Sequence, residues 1–108
     1  MYLIEQFKAI NKLENFVMTQ HSRKRFLERG IMVQDIVNAI DTGEIIEDYP
    51  EDYPFPSCLI MGKNHNKIIH IVAAIDNGMI FLITAYLPDI DNWKTDGKTR
   101  KEKRQGNA

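Results

Sequence analysis

The stretch that decides the fold is "KIIHIVAAIDNGMIFLITAYL", residues 67–87. Two runs rich in isoleucine and other strand formers flank Asp76-Asn77-Gly78, a hairpin signal. Both runs are apolar on both faces, as suits central strands covered on two sides. His70 interrupts the first run, and Thr84 and Tyr86 add polar atoms to the second. Whether these side chains meet depends on the loop. A two-residue loop, Asn77-Gly78, pairs His70 with Ala85 and turns Tyr86 to the other face. A three-residue loop with Gly78 left-handed pairs His70 with Thr84 and leaves Tyr86 on the same face, one step along. A slip of one residue flips every side chain, so the register decides whether a polar cluster exists. The three-residue loop is the expectation here: it gathers the polar residues, and a type I turn followed by glycine is common.

Upstream, "EIIEDYP" and "SCLIMGKN" read as two further strands and "GKNHNK" as a turn. Pro50, Pro54 and Pro56 fall in the loop between those strands, since proline cannot lie in a central strand. Before them the period changes. In "YLIEQFKAINKLENF", Leu3, Phe7, Ile10 and Leu13 recur at spacings of three and four, the mark of an amphipathic helix. Thr19 can cap a second helix, roughly residues 20–29, that Gly30 ends. "VQDIVNAIDTG" places Val33, Ile36, Val37 and Ile40 on one stripe of a third helix, with Gly43 as its stop. The expected architecture is α+β: three N-terminal helices packed on one face of a four-stranded, mostly antiparallel sheet. A single domain is expected over residues 1–93, followed by a disordered basic tail over 94–108.

The whole chain has 108 residues and a formal charge of −1, so no global basic field attracts nucleic acid. The average hides an asymmetry, because residues 94–108 carry a net charge of +4 and leave about −5 for the remainder. A single cysteine, Cys58, cannot form an internal disulfide, which suits a reducing compartment. The N-terminal segment has charges where a signal peptide needs an apolar core. No apolar run approaches the ~20 residues that span a bilayer. A cytoplasmic location without membrane association is expected.

The most charged short segment is "TQHSRKRFLERG", residues 19–30. On a helix, His21, Lys24, Arg25, Glu28 and Arg29 share one face, while Phe26 points to the core. An arginine can hold a phosphate through two parallel hydrogen bonds, and histidine changes charge near neutral pH. Such a face suits binding and cleaving an RNA phosphodiester. It also suits plain solvation, with Glu28 pairing Arg25 or Lys24. His70 has a similar double reading, as a proton carrier or as a core histidine bonded to a carbonyl or hydroxyl. "EDYPEDYPFPS" repeats Glu-Asp-Tyr-Pro and is held extended by its prolines. It is either a stiff surface loop or a platform on which Tyr49 and Tyr53 stack on bases. Its four carboxylates disfavour phosphate and could dock a basic partner or the chain's own tail. His21, His65 and His70 show no metal-ligand spacing, so neither metal nor other cofactor is expected.

"HSRKRFLERGI", "AIDTGEIIEDYPEDYPFPS", "IIHIVAAI" and "ITAYLPDIDNW" together resemble the bacterial domain-of-unknown-function family numbered 4258, over about residues 19–93. That family is similar, remotely, to RelE-like and BrnT-like toxins, small ribonucleases of toxin–antitoxin pairs. The resemblance implies a helices-on-sheet fold and metal-independent cleavage of mRNA, free or ribosome-bound. It also implies a cognate antitoxin partner, of zinc-finger type in many members. It carries His21 and Arg25 from the first block, His70 from the strand block, and Tyr86 and Trp93 from the last. The family pattern usually has an acid where Leu87 stands. The leading expectation is therefore a metal-independent endoribonuclease toxin. His21, Arg25, His70 and Tyr86 would be catalytic, and Lys24, Arg29, Tyr49, Tyr53, Thr84 and Trp93 would hold RNA. The alternative is a non-enzymatic protein-interaction module of the same fold. A DNA-binding role fits worst, since no recognition-helix pair is apparent.

Overall fold

The computed structural model describes residues 1–89 and 91–101. The chain runs through helix α1 (Ile4–Ala9), a short 3-10 turn (Leu13–Asn15), strand β1 (Phe16–Val17), and helices α2 (Gln20–Glu28) and α3 (Val33–Asp41). Strands β2 (Glu44–Tyr49), β3 (Ser57–Asn64), β4 (Lys67–Asp76) and β5 (Met79–Tyr86) follow. The α+β class is as expected. The sheet differs, having five strands in the order β1-β5-β4-β3-β2. β1 joins β5 in parallel through the pairs Phe16–Ile80 and Val17–Phe81, which makes the sheet mixed.

The N-terminal helix is shorter than its apolar period suggests. Gln6 caps α1 by accepting a hydrogen bond from the Leu3 N–H at 2.7 Å, and the helix ends at Ala9. Asn11 then turns inward, donating to the Val37 carbonyl at 2.9 Å and to Asp41 at 2.7 Å. Those tertiary bonds redirect the chain, so Leu13 stays exposed and Phe16 is free to enter the sheet. The second and third helices match their sequence signals. Thr19 Oγ1 accepts from the Ser22 N–H at 3.0 Å, and Gly30 closes α2 at φ +69°.

β4 sets the two faces of the sheet. Ile69, Ile71 and Ala73 point to the helices and join Phe7, Ile36, Ala39 and Ile40 in the main core. α3 crosses so close to β3 that a Cβ on Gly62 would lie 1.7 Å from the Ala39 carbonyl oxygen. Only glycine fits at that crossing. The helices do not all share this face. α1 and α3 do, whereas α2 lies along β5 and covers the open edge of that strand beyond β1. Ser22 Oγ donates to the Ile83 carbonyl at 2.9 Å and Arg29 Nη1 to the Ala85 carbonyl at 2.8 Å. The helix thus satisfies backbone acceptors that an edge strand would otherwise expose.

The hairpin register departs from the expectation in an instructive way. Asp76 pairs with Met79, so the loop is the two-residue Asn77-Gly78. Both loop residues have positive φ, +52° and +74°, the type I′ geometry that matches strand twist. Yet His70 pairs with Tyr86, not Ala85, and Thr84 pairs with Val72. A bulge lies between: Ala73 pairs with Leu82 and Val72 with Thr84, leaving Ile83 unpaired. The extra residue restores what the expected three-residue loop would have achieved. Thr84, Tyr86 and His70 share the face opposite the main core.

Residues 94–101, expected as part of a disordered tail, instead fold back over that face as a strap. Trp93 bridges Arg100, the Lys94 N–H donates to the Thr99 carbonyl, and the Lys101 N–H donates to the Asn92 carbonyl. Asp96 ties the turn by accepting from the Lys98 and Thr99 N–H groups, and these bonds together with the Thr99 hydroxyl hold its carboxyl at about 2. Gly97 makes the turn at φ +74°, where a Cβ would meet Ile68 at 2.7 Å. The rest of the expected tail, residues 102–108, lies outside the described residues. No helix of the described residues is long and apolar enough to cross a membrane.

Candidate functional site

Polar groups gather in two neighbouring places along β5. The first is an open pocket of about 240 Å³ between α2 and the β5 edge, lined by His21, Ser22, Arg25, Arg29, Ile83 and Thr84. His21, Arg25 and Arg29 stand at i, i+4 and i+8, so one helical face delivers all three. Arg29 is the anchored member. Its Nη1 donates to Thr84 Oγ1 at 3.1 Å as well as to the Ala85 carbonyl. That uses one nitrogen of a group with five N–H donors. His21 and Arg25 are exposed and make no side-chain hydrogen bond among the described residues. The ion pairs of the described residues are Lys98–Glu44 and Arg100–Glu47, so Glu28 pairs with neither Lys24 nor Arg25. Lys24 is exposed but does not line the pocket.

The second place is closed. His70 is fully buried beneath the strap. Its Nε2 lies 2.5 Å from the Gly97 carbonyl oxygen, which can only accept, so Nε2 carries the proton. Its Nδ1 is 3.4 Å from the Tyr86 hydroxyl. Burial lowers the His70 pKa from 6.5, favouring the neutral ring. In that state Nδ1 accepts from Tyr86 O–H. Burial also raises the Tyr86 pKa, so the phenol keeps its proton at neutral pH. The Trp93 ring stands edge-on to His70 at 4.4 Å, and the Arg100 guanidinium lies 4.5 Å from the indole centroid.

Arg100 continues the network to β2. It holds Glu47 through Nε at 2.5 Å and Nη2 at 3.0 Å, and this contact pulls the Glu47 carboxyl below its usual range. Glu47 also accepts from Tyr49 O–H at 2.6 Å; burial, then Glu47, raises the Tyr49 pKa. The chain's own strap thus meets the first carboxylate of the Glu-Asp-Tyr-Pro repeat. Tyr53 is 94% exposed and lines neither place, but it borders an adjoining pocket that shares Ser22 and Ile83 with the first.

The residues singled out from sequence therefore separate. His21, Arg25, Arg29 and Thr84 come together in an accessible pocket. His70, Tyr86, Trp93 and Tyr49 form a packed network on the neighbouring face. Ser22 and the Gly97 carbonyl are structurally central and escaped the sequence reading. A serine within a helix carries no mark of the strand carbonyl it will meet, and a backbone acceptor leaves no trace in residue identity. Cys58 is buried and its thiol is pushed up to about 12, so it offers no thiolate. Among the described residues no cluster of three or more His, Cys, Asp or Glu could hold a metal ion.

Fold and pocket together define a small α+β protein whose helix-to-strand edge presents an imidazole and two guanidinium groups to solvent. The chain belongs to the family described as Domain of unknown function (DUF4258), which matches residues 18–87. That span takes in α2, α3 and all four long strands but stops short of the strap. No curated protein and no solved structure matches the chain.

Proposed function

We propose that the pocket between α2 and β5 binds an RNA phosphodiester and that the protein is a metal-independent endoribonuclease. The observation that carries this is the convergence of His21, Arg25 and Arg29 on one open pocket, with Arg29 already fixed by Thr84 and Ala85. An arginine held in place before binding loses less freedom when it grips an anion. In the proposed reaction the RNA 2′-hydroxyl attacks its own phosphorus and His21 accepts the proton. Arg25 and Arg29 hold the non-bridging oxygens as negative charge grows. The O2′–P bond forms, the P–O5′ bond breaks, and the leaving oxygen takes a proton from solvent water. Tyr86 does not line the pocket and gives its O–H to His70 Nδ1, so this pair supports β5 beside the site rather than transferring the proton.

The wider reading is the toxin of a toxin–antitoxin pair, remotely like RelE-like and BrnT-like toxins, with a cognate antitoxin as partner. It rests on the same pocket and on the resemblance of the sequence blocks. Purified protein incubated with single-stranded RNA in the presence of a chelator provides the test. Cleavage that is lost in His21→Ala and Arg25→Ala, with their melting temperatures unchanged, supports the reading. Cleavage that survives the double variant rules it out. Neither binding nor cleavage of RNA leaves the protein-interaction module.

A further inference from the structure

Three residues beyond Thr84, just past the end of β5, a second cleft opens. It has a volume of about 410 Å³, and its apolar lining comes from Ile68, Leu87, Pro88 and Trp93. Lys67, Lys94 and Lys101 also line it, all three exposed. The two ion pairs of the described residues use none of them. Asp89, the one carboxylate in the lining, is occupied by Asn92, whose backbone and side-chain nitrogens approach at 2.9 to 3.2 Å. An apolar lining set among unpaired cations fits a ligand that is flat and apolar at its centre and anionic at its edge.

The cleft's position narrows the ligand. Thr84 lines the first pocket and Leu87 the second, a separation of about 10 Å along extended chain. A single RNA strand whose phosphate sits on Arg25 and Arg29 reaches that far within one or two nucleotides. The acidic β2 edge lies at the far side of the sheet, with three strands between it and β1. The strand β5 thus offers a track with a phosphate grip at one end and an apolar, lysine-ringed shelf at the other.

We propose that the cleft of Ile68, Leu87, Pro88 and Trp93 receives an unstacked base of single-stranded RNA, with Lys67 and Lys94 on the flanking phosphates. This rests on the pocket at α2 being a phosphate site. The base lies on the aliphatic lining rather than on the Trp93 face, because the ring is only 5% exposed, between His70 and Arg100.

Trp93 is the only tryptophan in the chain, so its fluorescence reports on this cleft directly. Two oligoribonucleotides of equal length are titrated, one with bases and one with abasic sites throughout, with anisotropy of end-labelled copies as an independent measure of binding. The intact RNA is expected to change Trp93 emission and to bind on the order of tenfold more tightly than the abasic strand. Leu87→Asp, at a half-exposed position, is expected to remove that advantage and leave abasic binding no tighter than before. Lys67→Ala with Lys94→Ala is the companion variant, expected to weaken both strands. Equal affinity for both strands with unchanged Trp93 emission overturns the base cleft while the phosphate site stands. Binding of neither strand overturns both. Binding of both that ignores Arg25→Ala overturns the phosphate site.

Discussion

His21 lines an open pocket, and His70 lies fully buried beneath the strap. Both come from stretches that looked chemical in the sequence, and both lie beside β5. They differ in what their ring nitrogens touch. His70 has a partner on each side, Gly97 and Tyr86, and an aromatic lid. His21 has none among the described residues. A titratable group with every hydrogen-bonding position filled and no water access holds structure together. One left unfilled beside two guanidinium groups is available for a ligand. The difference is made by the strap, which covers one place and leaves the other bare.

The largest expected effect comes from removing the lid. Trp93→Ala should destabilise the fold by about 3–5 kcal/mol, read from the denaturant midpoint. A loss under 1 kcal/mol would show that the strap does not pack in solution. At the open pocket, His21→Ala should slow RNA cleavage by on the order of 10²-fold or more while leaving the midpoint unmoved. A shifted midpoint would erase the contrast between the two histidines.

The closed site should also announce itself through pH. Burial keeps the His70 pKa below 6.5, so on acidification the unfolded chain takes up a proton that the folded chain refuses. Stability therefore falls as pH drops below about 6.5 and is insensitive to this group above it. Glu47, held low by Arg100, adds a further loss as pH falls below 4.5. Urea midpoints at pH 7.5 and 5.5 should differ in the wild type, and His70→Asn should shrink the difference. An unaltered slope in that variant would place the titration elsewhere. The smallest effect is expected from Arg100→Ala. Its guanidinium is half-exposed, so the pair with Glu47 contributes about 0.5–1 kcal/mol. Double-mutant cycles with Glu47→Gln would measure it.

Much of the fold was legible because its signals are local. Thr19, Gly30 and Gly43 punctuate the helices, and the isoleucine-rich runs mark the long strands. β1 was not legible: two residues carry no period, and Phe16 looked like the last turn of a helix until Asn11 was seen to leave it. The basic face of α2 was readable from spacing alone. Its neighbour was not, because α2 meets the strand edge rather than the sheet face, and only tertiary packing brings Arg29 to Thr84. The strap was missed because its lysines suggested solvent. What anchors it is Trp93 and the Gly97 carbonyl against His70, with Lys98 and Arg100 pairing to Glu44 and Glu47.

The unpaired Ile83 has a consequence for how relatives of this chain are compared. Removing one residue from the middle of a strand ordinarily reverses the two faces of everything beyond it. Here, removing Ile83 would leave Thr84 opposite Val72 and Tyr86 opposite His70, since the bulge holds the surplus residue. The deletion would take away the carbonyl that receives Ser22 and so loosen α2. A relative with a gap at this position can therefore keep its buried histidine pair intact while the grip on its basic helix is altered, and the two features are free to vary separately in evolution.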